Sequence, residues 1–326
     1  MKKESEVQYV LKVGFGVHRG AGVYLIDNPT ESNLLSNYSK GAKCGEMDEN
    51  LVAQKYIYDP LTIDGGHKFD FRLYMMIASI DPLVVYYHDG FLRVSLFKYF
   101  KDVINPKAHL TNTELAKSVF KDVENGGTHM GMDIEQLRDF QMRLLPEFQK
   151  YLIRKGIVKD KDWIEKVLKQ KFFKSYVHLA KMVEKKLHKN PNLFEVFGVD
   201  YVIDENFDIF VVEVNASPMQ VGTSKEKTRL MKKMNQGIVQ ITLAFLRSRV
   251  KRSMKFLREN ADAIKNNQNL DALAVEFREL NRNKVEPEYE HMMQNLSWEK
   301  IVDENIEGRD AYMGLIDDEC IDIMNE

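Results

Sequence analysis

Asp200, Glu213 and Asn215 have the types and spacing to bind a hard cation. Glu213 and Asn215 stand two apart in an apolar run, Phe207 to Asn215, that reads as a strand, so both point to one face. A turn at Asp204-Glu205-Asn206 folds the preceding strand, Phe197 to Ile203, back on it, and Asp200 falls opposite residues 210 to 212. Two carboxylates and an amide carbonyl suit Mg²⁺, and no soft ligand is present to favour zinc. The hairpin supports a second use equally well. Glu213 follows Ile209-Phe210-Val211-Val212, where an unpaired carboxylate is costly, and a structural ion pair with a Lys or Arg would also satisfy it.

Lys68, Asp70 and Arg72 alternate with Phe69, Phe71 and Leu73, which places the three charges on one strand face. That face is either a solvated outer surface or a cationic wall for phosphate. A glycine-rich stretch, Gly14 to Gly22, lies between two short strands, Val7–Leu11 and Val23–Ile26, with Lys12 just ahead of it. It ends in no Gly-Lys-Ser/Thr and opens no helix. It is therefore neither a Walker A loop nor a dinucleotide fingerprint, and a hairpin loop or a phosphate-covering flap fits it. Arg93 lies on a further strand, and His109-Leu110-Thr111-Asn112 reads most simply as a helix cap. Together the glycine loop, the lysine, the cationic face and the oxygen triad describe a site for triphosphate chemistry.

The elements that must position these residues follow from the pattern. Leu51 to Ile57 reads as a strand stopped by Asp59-Pro60. Lys68 to Ile77 is a strand turned at Asp81-Pro82, and Leu83–Tyr87 with Phe91–Leu96 reads as a hairpin across His88-Asp89-Gly90. Residues 133–152 and 162–188 read as helices whose aromatic residues are core. Residues 230–258 form a basic helix, and the rest reads as helical segments that become acidic.

The chain of 326 residues is 44% apolar and 29% charged, which excludes disorder and implies about two domains. Its net charge of −2 divides into −11 over residues 285–326 and +9 over residues 1–284. A basic body of this kind attracts acidic partners, or is simply solvated. No zinc-finger spacing, RNP-like motif or Lys/Arg run points to nucleic acid. No apolar run approaches a bilayer span, and the first residues carry no signal core, so a cytosolic protein is expected. Cys44 and Cys320 lack metal-ligand spacing and read as free thiols.

Four ordered motifs resemble the tubulin tyrosine ligase family, whose members include tubulin glutamylases and glycylases. They are Lys68-Phe69-Asp70-Phe71-Arg72, His109-Leu110-Thr111-Asn112, Phe197-Gly198-Val199-Asp200 and Glu213-Val214-Asn215-Ala216-Ser217-Pro218. The resemblance covers about residues 9–247, through Asn235-Gln236-Gly237-Ile238-Val239. It implies an α/β (α+β) ATP-grasp fold. Residues 1–66 would be the central subdomain with the glycine flap and 67–250 the C-terminal subdomain with the antiparallel sheet. Residues 251–326 would be a helical, acidic C-terminal extension. Family enzymes carry a subdomain ahead of the first lysine, and only eleven residues precede Lys12, so most of that N-terminal subdomain is expected to be absent. Val13 stands where the family usually has proline.

The resemblance also implies roles. Lys12 and Lys68 would contact ATP, Arg19, Gly20 and Gly22 would belong to the flap, and Gln54, Lys55, Tyr56 and Ile57 would form the hinge that reads adenine. Asp70 would contact ribose, and Asp200, Glu213 and Asn215 would hold Mg²⁺. Arg72 and Arg93 would act on the γ-phosphate, acyl phosphate or incoming amino acid, with Thr111 and Asn112 positioning that group. The implied activity is ATP- and Mg²⁺-dependent ligation of an amino acid to acidic tubulin tails through an acyl phosphate. Glutamate is the first choice, ahead of glycine or tyrosine. The implied location is the cytoplasm and cytoskeleton, with cilium or basal body, and no membrane or nucleic-acid partner is expected. The alternative is a microtubule-associated structural protein that keeps the fold without turnover. A protein kinase is disfavoured, because neither a His-Arg-Asp nor an Asp-Phe-Gly motif occurs.

Overall fold

The computed structural model describes residues 9–13, 23–26, 51–101, 106–111, 113–190, 193–220, 222 and 224–307. It is a mixed α/β protein with antiparallel sheets. Ten strands are described: β1 (Tyr9–Val13), β2 (Val23–Ile26), β3 (Leu51–Lys55), β4 (Thr62–Ile63), β5 (His67–Ile80), β6 (Leu83–Lys98), β7 (Met142–Leu144), β8 (Glu195–Ile203), β9 (Ile209–Ala216) and β10 (Trp298–Asp303). A three-stranded sheet has the order β2-β1-β3. A seven-stranded sheet has the order β10-β6-β5-β8-β9, with β4 on β5 and β7 on β6.

The chain divides into two compact units. One contains residues up to Arg72, Phe91–Phe148 and Asp200–Val212; the other contains Leu73–Gly90, Gln149–Val199 and the chain from Glu213. The boundary falls within β5, β6, β8 and β9. In the first unit, Phe69 and Phe71 of β5 meet Phe148 of the helix Leu145–Arg154 at ring distances of 5.2 and 5.6 Å. Val10 and Tyr56 form a second buried cluster with Val23, Leu25, Tyr58 and Tyr99 packed on it.

In the second unit Tyr87 packs on Phe172, Phe173 and Tyr176 of the helix Lys169–Glu184, so those helical aromatics are core as their spacing suggests. The longest helix, Lys225–Glu259, starts at Ser224, whose hydroxyl accepts from Lys227 N. Its buried face includes Met231, Met234, Ile241 and Phe245. No helix among the described residues is long and apolar enough to cross a membrane.

Three readings of the sequence are corrected. The expected hairpin over 83–96 is one continuous strand, β6, and the turn that returns the chain is at Asp81-Pro82. His88-Asp89-Gly90 has turn composition but is held straight by its neighbours. His88 packs under Trp298, and Lys169 lies 3.5 Å from the Asp89 carboxylate. The expected helix 133–152 is broken: Ile134–Gln141 ends at Met142, and β7 pairs Met142 with Arg93 and Leu144 with Phe91 before a second helix begins. Pro146 in the first turn of that second helix suits a helix start and not a helix interior. Among the acidic segments read as helical, Trp298–Asp303 is instead a strand antiparallel to β6. Its Trp298 and Val302 are buried, and the indole donates to Met234 O at 2.9 Å.

Candidate active site

Lys68, Asp70 and Arg72 share one face of β5, where Lys68 and Asp70 are buried and Arg72 partly so, which excludes the solvated-surface reading. The next strands in the sheet, β6 and β8, bring Arg93 and Asp200 to the same place. Arg72 grips Asp200 with two nitrogens, Nε on Oδ1 and Nη2 on Oδ2. Arg93 grips Asp70 in the same bidentate way and reaches Asp200 Oδ2 with Nη2 at 2.7 Å. Two guanidiniums and two carboxylates thus close a neutral four-residue cluster. Asp200 is only 1% exposed and Asp70 4%. At that depth only paired, hydrogen-bonded charges are tolerable. Burial opposes the charge on Arg93, and Asp200 and Asp70 outweigh it, holding the guanidinium pKa well above its ordinary value.

Lys68 sits beside this cluster on different partners. Its ammonium donates to Tyr56 Oη at 2.9 Å and to His109 O at 3.0 Å. It lies over the Tyr56 ring, 4.5 Å from the centroid, and 5.7 Å from that of Tyr99. Tyr56 Oη is also 2.7 Å from His109 Nδ1, and the Tyr99 and His109 rings are 4.9 Å apart. Lys68 is 4% exposed, and burial, partly offset by Asp70, pushes its pKa down to about 7. Burial and the neighbouring tyrosines Tyr99 and Tyr58 push the Tyr56 phenol far above its ordinary range, so it stays a neutral hydrogen-bonding group.

The three-stranded sheet reaches the hairpin of β8 and β9. Gln54 pairs with Val10 across β1 and β3, and Lys12 lies two residues on from Val10, so both side chains emerge on one face. Lys12 Nζ donates to Val212 O at 2.7 Å, and Gln54 Nε2 to Val211 O at 3.0 Å. The hairpin turn is closed by Asp204 N donating to Asp208 O and by the Asp204 carboxylate accepting from Asn206 N and Asp208 N.

The other expected site residues are placed as follows. Lys55 is exposed and Ile57 half-buried. Thr111 lines a small cavity with Ser95, Phe97, Lys107 and Gln141. Glu213 and Asn215 belong to the second unit, where Asn215 Nδ2 donates to Glu213 Oε1 at 3.0 Å, as a shared strand face requires. Arg19, Gly20, Gly22 and Asn112, and both cysteines, lie outside the described residues. The donors expected to hold Mg²⁺ are all hard oxygens and fit that ion in kind, although Asp200 also carries two arginine contacts. Among the described residues no three His, Cys, Asp or Glu side chains gather as a metal site.

The sequence reading passed over Tyr99 and treated His109 as part of a cap. His109 is buried, and its carbonyl and ring hold Lys68 and Tyr56. The only local signal was a histidine opening a polar run after a sheet.

A sequence model of the tubulin-tyrosine ligase family matches residues 8–255. The chain belongs to the tubulin-tyrosine ligase family. Similar family members include tubulin polyglutamylase TTLL5 of Mus musculus, 30% identical over 209 residues that make up 61% of this chain and 14% of that protein. Tubulin glycylase 3A of Drosophila melanogaster is 30% identical over 226 residues, 69% of this chain and 21% of that protein. The inactive polyglycylase TTLL10 of Homo sapiens is 25% identical over 246 residues, 73% and 34% of the two chains. The chain therefore spans a minor part of the length of these relatives. All four motifs fall within the stretch matched by the family model.

Proposed function

We propose that this chain is an ATP- and Mg²⁺-dependent amide ligase of ATP-grasp fold that adds an amino acid, glutamate first, to the acidic tails of tubulin. Family membership and relatives named as tubulin polyglutamylase and tubulin glycylase support the reaction class. The observation that carries the reading is the buried cluster of Arg72, Arg93, Asp70 and Asp200 beside Lys68. Guanidiniums fixed in this way before substrate arrives suit a reaction in which negative charge moves through phosphate and carboxylate. On this reading residues 1–66, 67–250 and 251–326 are the central subdomain, the C-terminal subdomain and a C-terminal extension.

In the proposed reaction a tail carboxylate oxygen attacks the γ-phosphorus of ATP, the bond to the β-phosphate oxygen breaks and ADP leaves. The amino group of the incoming amino acid then attacks the acyl carbon, phosphate departs, and an amide remains. Arg72 and Arg93 bind and orient the phosphoryl and acyl phosphate oxygens, and their planar forks suit this better than lysine. Lys12 and Lys68 hold phosphate, and Arg19, Gly20 and Gly22 cover it. Gln54, Lys55, Tyr56 and Ile57 line the adenine side. Asp70 orients Arg93 and offers its remaining lone pairs to ribose. Thr111 and Asn112 position the amino acid. Asp200, Glu213 and Asn215 hold Mg²⁺, which when bound neutralises charge on the phosphates.

Microtubules in the cytoplasm, cytoskeleton and cilium or basal body are the sites where such substrates occur. A second reading, a microtubule-associated protein without turnover, draws on the engagement of both Asp200 oxygens by arginine and on the family's inclusion of a relative named inactive. The test is ADP release from MgATP with tubulin and Glu, Gly or Tyr. The ligase reading expects release that needs both tubulin and one amino acid and is lost in Glu213→Gln. ATP binding without such release favours the second reading.

A further inference from the structure

The long helix Lys225–Glu259 has a second face that its packing does not use. Val239, Leu243, Leu246, Val250, Met254 and Leu257 are all exposed, Val239 by 53% and Val250 by 52%. Their spacings of three and four residues place them within an arc of about 80° at 3.6 residues per turn, a stripe about 27 Å long. The helix's buried residues, among them Ile241, Ala244, Phe245 and Ser248, lie on other arcs, so the stripe is not the margin of the core. Arg247, Lys251 and Arg258 follow one edge of it, and no acidic residue occurs between Lys227 and Arg258. A continuous apolar seam on a helix with one sign of charge is an interaction surface for an apolar partner of opposite charge.

Residues 308–326 of this chain have that chemistry. Met313, Ile316, Cys320 and Ile323 repeat at spacings of three and four, interleaved with Asp317, Asp318, Glu319 and Asp322. The segment carries six acidic residues against the single Arg309. The five residues 308–312 ahead of Met313 can extend to about 17 Å, and Glu307, from which they start, lies in the same compact unit as the helix. The chain just after the helices, including the acidic residues Glu286 and Glu288, already adheres to the same helix. Arg252 donates to Leu280 O, Arg282 O, Lys284 O and Glu286, and Lys251 pairs with Glu288. A second copy of the helix would set basic edges against each other, which disfavours self-pairing.

We propose that the apolar stripe Val239–Leu257 is the docking surface of the chain's own acidic segment 308–326. Its apolar residues seat on the stripe, and its carboxylates lie along the edge formed by Arg247 and Arg258. The contact is independent of the nucleotide reading, because none of its residues belongs to the proposed active site.

The test uses the full chain. Cys44→Ser leaves Cys320 as the sole thiol, which is labelled with a benzophenone maleimide, irradiated at low protein concentration and mapped by mass spectrometry. The expected result is cross-links from Cys320 to residues 239–258 within one chain. Leu246→Glu with Val250→Glu, at exposed positions that the fold does not need, is expected to lower the yield at least about tenfold. Cross-links that fall elsewhere, join two chains, or persist in the double variant would overturn the proposal.

Discussion

Replacing Lys68 with methionine removes a buried ammonium while keeping most of the side-chain volume. With a folded pKa of about 7 against an ordinary 10.5, the unfolded chain binds the proton more tightly everywhere below about pH 10.5. Stability therefore rises with pH between the two values: the cost of burying the charge is full below 7 and gone above 10.5. Linkage makes that cost about 4 to 5 kcal/mol at pH 6 and about 2 kcal/mol at pH 9. The methionine variant loses two hydrogen bonds, to Tyr56 Oη and to His109 O, of which Tyr56 keeps its contact with His109 Nδ1. That loss costs about 1 to 2 kcal/mol at any pH. Lys68→Met is therefore expected to be more stable than the natural chain by roughly 3 kcal/mol at pH 6 and about equal to it at pH 9. Urea unfolding of both proteins at pH 6, 7.5 and 9 reads the difference directly. A difference that does not change with pH, or a methionine variant that is the less stable at pH 6, would refute the argument that this lysine is held against its own charge.

Arg93→Ala strands Asp70 at depth and takes one of three arginine contacts from Asp200, which keeps Arg72, and is expected to destabilise by about 3 to 5 kcal/mol in urea unfolding; pairing it with Asp70→Asn should recover part of that loss. Gly237→Ala pushes a Cβ into the Trp298 indole, with an expected cost of about 1 to 3 kcal/mol in thermal unfolding and a shift in tryptophan emission. Burial lowers the His88 pKa to about 4, so the unfolded chain takes up that proton first on acidification. The stability that neutral His88 contributes above pH 6.5 is lost as pH falls toward 4, by up to about 3 kcal/mol. His88→Phe should flatten that part of the pH–stability curve measured by denaturant titration.

The sequence made the charged strand visible because alternation over Lys68 to Leu73 is a local signal, and the turn at Asp204-Glu205-Asn206 that joins β8 to β9 was legible from its composition. It left open whether the face of Lys68 was wet or dry. That depends on what covers it, Tyr56, Tyr99 and His109, and these come from separate stretches of the chain. The contacts of Lys12 with Val212 and of Gln54 with Val211 join residues far apart in sequence, and no spacing rule reaches that far. His88-Asp89-Gly90 misled for the opposite reason. Its composition is that of a turn, yet Lys169 and Trp298 hold it in a strand. The same override explains β10. Trp298 fits against Gly237 of the long helix, and pairing with the edge of β6 decides for strand where the acidic composition alone does not.

The most direct measurement is mass spectrometry of tubulin tails after incubation with this chain, MgATP and a mixture of Glu, Gly and Tyr, with Glu213→Gln as control. A mass increase on the tails that matches one of the three amino acids and disappears in the control is the predicted result. Tails unchanged in mass, although the chain binds microtubules and ATP, would contradict the ligase account.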